Sequence, residues 1–227
     1  MKTEQNKLLA WSRELQSLAT AGRFYTKDPF DAERFERIME IAAELAAETA
    51  AEDYEDIRER FSRESVYQTP KIDSRAVVFN EKDEVLLVQE LDHTWAPPGG
   101  WCEYNLTPAA NAVKEAREEA GVDVDVVRLV AVHDQHQHNE PFAFFSVERF
   151  FYLCRLKGGS FQENIETLQS GWFSLDALPY LHPRKSSEAE LRLCLEARDA
   201  EHWETRFDQT ASGGNRPAGL SRNLCGN

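Results

Sequence analysis

Three glutamates, Glu115, Glu118 and Glu119, crowd into PGGWCEYNLTPAANAVKEAREEAGV at residues 98–122. At roughly 100° per residue they share one sector of a helix. Ala109, Ala112, Val113, Ala116 and Ala120 fall on a neighbouring sector that would pack on a core. Like charges at this spacing repel by roughly 0.2–0.5 kcal/mol per pair. A hard, oxygen-preferring divalent cation such as Mg²⁺ or Mn²⁺ relieves that repulsion. The segment therefore reads as a metal-and-phosphate site. A solvent-facing acidic helix is the plainer alternative. Against it stand the paired glycines, the marked helix ends and the lack of a basic partner on the 118/119 side.

The elements that must hold these carboxylates are also marked. Pro98-Gly99-Gly100 is a turn signal, and glycine lets a backbone approach a ligand or metal closely. Thr107 followed by Pro108 fits an N-cap and first helical position, and Gly121 sits where a C-cap glycine belongs.

This stretch resembles the Nudix box, a glycine, five residues, Glu, seven residues, then Arg-Glu-apolar-any-Glu-Glu-any-Gly-apolar. With Gly100 as the first glycine, Glu115, Glu118 and Glu119 take the terminal glutamate positions, and Ala116, Gly121 and Val122 match the rest. Two positions depart: Leu106 stands where the pattern has Glu, and Lys114 where it has Arg. In the family those two form a supporting ion pair, so the departures are mutually consistent and bear on rigidity around the site rather than on the metal ligands.

The 227 residues carry 41% hydrophobic and 29% charged residues, an ordinary globular composition. No apolar run approaches the ~18 residues of a membrane span, so no membrane association is expected. MKTEQNKLLAW shows no apolar signal region. Cys102, Cys154, Cys194 and Cys225 lack CxxC spacing, which speaks against a zinc site or a disulfide framework. A reducing cytoplasm fits. The net charge is −14, and residues 1–70 alone hold ten basic and fifteen acidic residues. A duplex nucleic-acid partner would call for a basic footprint and is not expected.

Residues 1–66 read as a helical region. Leu8, Trp11, Leu15 and Leu18 recur at helical spacing, and Asp28-Pro29 opens a long amphipathic helix through Ala50 with Phe35, Ile38, Met39, Ala42, Leu45 and Ala46 as its stripe. A weaker third stretch lies around 53–61. These helices bury too little to stand alone, and either pack on the chain or form a homodimer. Residues 67–200 change to short β runs: Arg75–Phe79, a turn at Asn80–Asp83 and Glu84–Gln89 as a hairpin, then Val122–Val132, Phe142–Leu156 and Gly171–Leu175, with a last helix from Ser186 to about Ala200. Strands with interspersed helices indicate an α/β (α+β) fold with a mixed sheet. The resemblance implies the Nudix fold, a mixed β-sheet flanked by helices. Residues 201–227, rich in Gly, Ser, Asn and Arg, are expected to be disordered.

The resemblance extends to YTKDPFDAERFERI, RAVVFNEKDEVLLVQE, TWAPPGGW and GWFSLDALP. It points to a branch with a helical N-terminal extension that includes CDP-choline and ADP-ribose pyrophosphatases. Members often carry an apolar residue and Thr/Ser-Pro where Leu106-Thr107-Pro108 stand here. The implied activity is hydrolysis of the pyrophosphate in a nucleoside diphosphate linked to a moiety X. On that analogy Glu115, Glu118 and Glu119 hold Mg²⁺ (or Mn²⁺), the carbonyl of Gly99 adds a ligand, and catalysis rests on Glu118, Glu119 and a base. The first choice of base is Glu166, with Glu163 or Glu119 itself as alternatives. Trp95 and Trp101 flank the turn and either stack a base or sugar or cover the core. His133, His136 and His138 either form a loop at the mouth, with His136 and His138 reaching the X group, or a solvated loop, or a transition-metal site. A silent nucleotide sensor is the main competing function, and a nuclease acting on RNA ends a third; the intact glutamates and the overall acidity count against them.

Overall fold

The computed structural model describes residues 2–50, 53–62, 69–140 and 146–208. The N-terminal helices are α1 (Lys2–Tyr25), α2 (Pro29–Ala50) and α3 (Tyr54–Ser62). Asp28 accepts from the Phe30 N–H at 2.8 Å, and Asp53 from the Glu55 N–H at 2.9 Å, so both starts are capped by an aspartate. Ala42, Ala43, Ala46, Ile57 and Phe61 bury a small core of their own, with Leu9 and Leu15 against it. Small residues let α1 and α2 approach closely; a Cβ on Gly22 would stand 2.3 Å from the Phe35 ring.

Beyond residue 69 come β1 (Lys71–Val78), β2 (Glu84–Glu90), β3 (Trp95–Ala96), β4 (Gly99–Trp101), α4 (Pro108–Ala120), β5 (Val122–Asp134), α5 (Gln135–His138), β6 (Val147–Gly159), β7 (Thr167–Ser174), α6 (Glu188–Asp199) and β8 (Arg206–Phe207). Two sheets result, ordered β4-β1-β6-β5-β8 and β3-β2-β7. The first is mixed: β1–β6 and β5–β8 run parallel, β1–β4 and β5–β6 antiparallel. Alternation sends Ala76, Val78, Leu86 and Val88 to a core shared with Ala112, Ala116 and Ala120 of α4, and Val77, Val85 and Leu87 to one shared with Leu191, Cys194 and Ala197 of α6. Helices therefore cover both faces, as expected of an α+β domain.

Two expectations are corrected. β1 and β2 do not form a hairpin ladder. The turn at Asn80–Asp83 closes through Asn80 N–H to Glu84 O at 3.0 Å, but only Phe79 and Val85 bridge, and the strands part into different sheets. Each is buried on both faces and pairs with other strands on its edges. The tail also begins later than residue 201. Arg206–Phe207 extend the edge of β5, the Trp203 indole donates to Val130 O at 3.0 Å, and Thr205 Oγ1 donates to Leu129 O at 3.0 Å. Residues 142–145 of the expected strand and 209–227 of the tail, with Cys225, lie outside the described residues. No described helix is long and apolar enough to cross a membrane.

Candidate active site

α4 starts and stops where its flanks require. The Thr107 hydroxyl accepts from the Ala110 N–H, Pro108 opens the helix, and Gly121 closes it at φ 70° with its N–H on the Ala116 and Arg117 carbonyls. Its alanine face anchors it, which fixes where the glutamates point. Glu115 and Glu119 are buried, while Glu118 remains half exposed.

The glycine turn meets the helix end through one bond, Gly99 N–H to Glu119 Oε2 at 2.8 Å. Gly99 sits at φ +151°, and a Cβ there would lie 2.1 Å from the Ser74 carbonyl oxygen. Only glycine permits this approach of β4 to β1. Behind it, Arg75 donates Nε and Nη2 to Asp73 at 2.8 and 2.6 Å and Nη1 to Pro97 O at 3.3 Å. Arg149 of β6 also donates to Asp73, and to Asn139 Oδ1 at 2.5 Å and Arg184 O at 2.9 Å. All three charged groups are buried. Burial lowers Arg149, and works against the charge on Asp73, where the two guanidiniums prevail and hold the carboxyl below its usual range.

Glu166 arrives from the loop before β7. Asn164 Oδ1 accepts the Glu166 and Thr167 N–H groups, and Thr167 Oγ1 donates to the Glu119 carbonyl at 2.8 Å, tying the loop to the end of α4. The result is a carboxylate trio, Glu115, Glu119 and Glu166, whose oxygens lie within 4.8 Å of one another. They line a cleft of about 470 Å³ with Gly99, Gly100, Trp101, Lys114 and Lys185.

The other expected residues are placed differently. Glu118 meets Lys114 Nζ at 2.5 Å, outside the trio. The helix thus does carry a basic partner on that side, against the expectation from sequence. Lys114 also reaches Glu103 at 3.3 Å and Glu115 at 3.6 Å. Its ammonium is held above its ordinary range by the Glu118 bond first. Trp101, 46% exposed, lines the cleft. Trp95 does not: its ring packs edge-on to Phe173 at 4.7 Å in the core. His136 and His138 are not in the cleft either. His136 Nε2 meets Arg13 of α1 at 2.5 Å, and His138 stacks on His133 at 3.8 Å while meeting Asp208 at 2.7 Å. His133, His138 and Glu190 lie close together. The two imidazoles are parallel within 7°, and in-plane lone pairs of parallel rings share no common point, so this arrangement is not that of a metal centre. Asp73, Arg75, Asn164, Thr167 and Lys185 are the site residues the sequence reading did not single out. The signal for the first two was the polar D-S-R entry into an otherwise apolar strand.

Glu119 is pushed up to about 7, by burial first, with the Arg75 charge and the Gly99 N–H opposing, and Glu90 and Glu115 adding repulsion. Glu115 is raised by burial too. Close, partly desolvated carboxylates with an open side are a donor set suited to a hard divalent cation.

Comparison with known proteins now bears on this geometry. The NUDIX domain pattern matches residues 69–193, more than half of the chain. The chain belongs to the Nudix family. A UDP-X-like N-terminal oligomerisation domain matches residues 6–61. A Bacillus subtilis (strain 168) protein provisionally named ADP-ribose pyrophosphatase YjhB is 35% identical over 204 residues, covering 90% of this chain and 98% of that one. The crystal structure of a Streptococcus suis ADP-ribose pyrophosphatase is 53% identical over 62% of this chain and all of its own, with TM-score 0.58. That of a UDP-X diphosphatase is 28% identical over 89% of this chain and 98% of its own, with TM-score 0.57. This Nudix protein is a pyrophosphatase-type hydrolase, with the mixed sheet, flanking helices and helical N-terminus expected from its sequence.

Two outcomes follow for the Nudix domain. Arg149→Met leaves Asp73 short of a buried partner and is expected to cost about 3–5 kcal/mol, read as a lowered denaturant midpoint with unchanged slope. Glu119 binds its proton more tightly folded than unfolded, so charging it opposes folding: the cost is absent well below its ordinary value of 4.5 and complete above about 7. Metal-free wild-type protein should lose up to about 3 kcal/mol relative to Glu119→Gln between about pH 4.5 and 8. Parallel stability profiles of the two proteins would contradict this.

Proposed function

We propose that this enzyme hydrolyses the diphosphate of a nucleoside diphosphate joined to a second moiety, releasing a nucleoside monophosphate and phosphorylated X. ADP-ribose leads, on the names carried by the two relatives of highest identity above; UDP-linked compounds come next on the third, and CDP-choline remains a member of the class to be tried. The observation that carries the reading is the carboxylate trio in a cleft bordered by the glycine turn. Glu115 and Glu119 would hold Mg²⁺, with Mn²⁺ as substitute and Glu166 left facing them as the base, and Glu118 and the Gly99 carbonyl are candidates for further ligands. The bound cation would supply charge neutralisation at the phosphates and acidify a water molecule.

The chain's own groups do the rest. Glu166, exposed on its pinned loop, takes the proton from the attacking water. The Gly99 N–H and Arg75 keep Glu119 fixed in position. Trp101 offers a half-open indole face to a base or sugar. Glu118, turned toward Lys114, ranks below Glu119 in this reading.

The test is a panel of ADP-ribose, UDP-sugars, CDP-choline and related nucleotides with Mg²⁺ and product identification. Metal-dependent monophosphate release is expected for at least one. Glu119→Gln should lower kcat on the order of 10³-fold, the scale of losing one charge-stabilising group, and Glu118→Gln by less. No release across the panel would end the proposal.

The same reading includes a homodimer built on α1 and α2. Leu18, Tyr25 and Phe30 are exposed there, 62%, 69% and 68% respectively, on the region matched by the oligomerisation domain. Light scattering should give a dimer for the wild type and a shift toward monomer for Leu18→Glu. A monomeric wild type at micromolar concentration would rule this out.

A further inference from the structure

Three cations line the carboxylate cleft among the described residues, Arg75, Lys114 and Lys185, and two of them are spoken for. Arg75 is buried and its N–H groups point at Asp73 and Pro97 O. Lys114 is shared among Glu103, Glu115 and Glu118. Lys185 differs: it is partly exposed, and its one carboxylate partner among the described residues is Glu90 Oε1 at 2.5 Å. An ammonium has three donors, so one bond leaves two for a ligand.

The backbone under Lys185 is held on several sides. Trp95 N–H donates to Tyr180 O at 3.0 Å, His182 N–H donates to Trp95 O at 2.8 Å, and Lys185 N–H donates to His182 O at 3.0 Å. The Arg184 carbonyl accepts from Arg149. Ser187 then starts α6 with a capping box. The ammonium thus starts from a fixed backbone on the lining of the cleft. A site rich in carboxylates repels an oligophosphate unless cations face it.

Building on the hydrolase reading, we propose that Lys185 binds the diphosphate of the substrate directly, and that Glu90 holds the ammonium aimed into the cleft while weakening its grip. The pair therefore sets affinity for the anion in both directions. Removing Lys185 removes a ligand for phosphate oxygen; neutralising Glu90 frees a full positive charge for it.

Imidodiphosphate, a pyrophosphate analogue with a bridging nitrogen, is the probe, titrated calorimetrically into protein with Mn²⁺ present. Lys185→Met should weaken binding about 10–100-fold and Lys185→Arg should restore most of it, because the charge returns. Glu90→Gln should tighten binding several-fold. Titration with Mn²⁺ alone should give wild-type affinity for both Lys185 variants; Glu90 also repels Glu119, so the Glu90→Gln gain counts only beyond any change in its Mn²⁺ affinity. A pair that merely braces the fold would make both Lys185→Met and Glu90→Gln lose affinity together, and that result overturns the proposal, as does absence of imidodiphosphate binding in the wild type. Failure of the nucleotide panel to yield products, with imidodiphosphate still responding as described, would instead fault the hydrolase reading.

Discussion

A carboxylate that belongs to a helix but is held by a turn is the constraint around which this domain is arranged. The Gly99 N–H to Glu119 bond joins β4 to the last turn of α4. It forms only because glycine at φ +151° lets the backbone of residue 99 press on Ser74. It persists because Arg75 ties Pro97, two residues earlier, to β1. Burial raises the cost of Glu119's charge, and the Arg75 charge and the N–H offset part of it. What remains uncompensated is the raised affinity of Glu119 for a proton.

The same carbonyl end of α4 organises the opposite wall. Thr167 donates to the Glu119 carbonyl, and Asn164 turns the loop so that Glu166 faces the helix. One residue thus offers its side chain to the turn and its backbone to the loop that carries Glu166. Strand, turn, helix and loop converge on Glu119 without any of them needing an isolated strong interaction, and the buried Asp73 between two arginines supplies the floor.

Much of this was written in the chain, and unevenly. The α4 boundaries were readable because caps are local: Thr107, Pro108 and Gly121 act within one turn. The presence of β1 and β2 was readable too, but not their partners, because strand pairing is decided by distant residues that the strands' own pattern does not name. So the apparent hairpin parts into two sheets. Trp95 and Trp101 illustrate the limit for site residues. Both flank the same turn, yet one ring packs on Phe173 and the other borders the cleft, because β3 and β4 belong to different sheets. Family resemblance places His136 and His138 in a mouth loop. Their rings are instead taken up by Arg13, His133 and Asp208, the last of them 70 positions away.

The two departures from the family pattern can be followed to their physical consequence. Leu106 removes the acid that would brace the cation before the first box glutamate, and a lysine without that acid would be free to swing. Glu103, three residues earlier in the same loop, approaches Lys114 at 3.3 Å, and Glu118 closes on it from the helix. Both carboxylates are about half exposed, so neither bond is strong alone. Together they hold the ammonium beside Glu115, where it offsets part of the charge that burial makes costly. A bidentate arginine fork would fix direction; a lysine shared by three acids fixes only location. Placing charge beside Glu115 requires location and not a particular N–H vector, so losing the acid and the arginine together still leaves a cation next to the buried carboxylate.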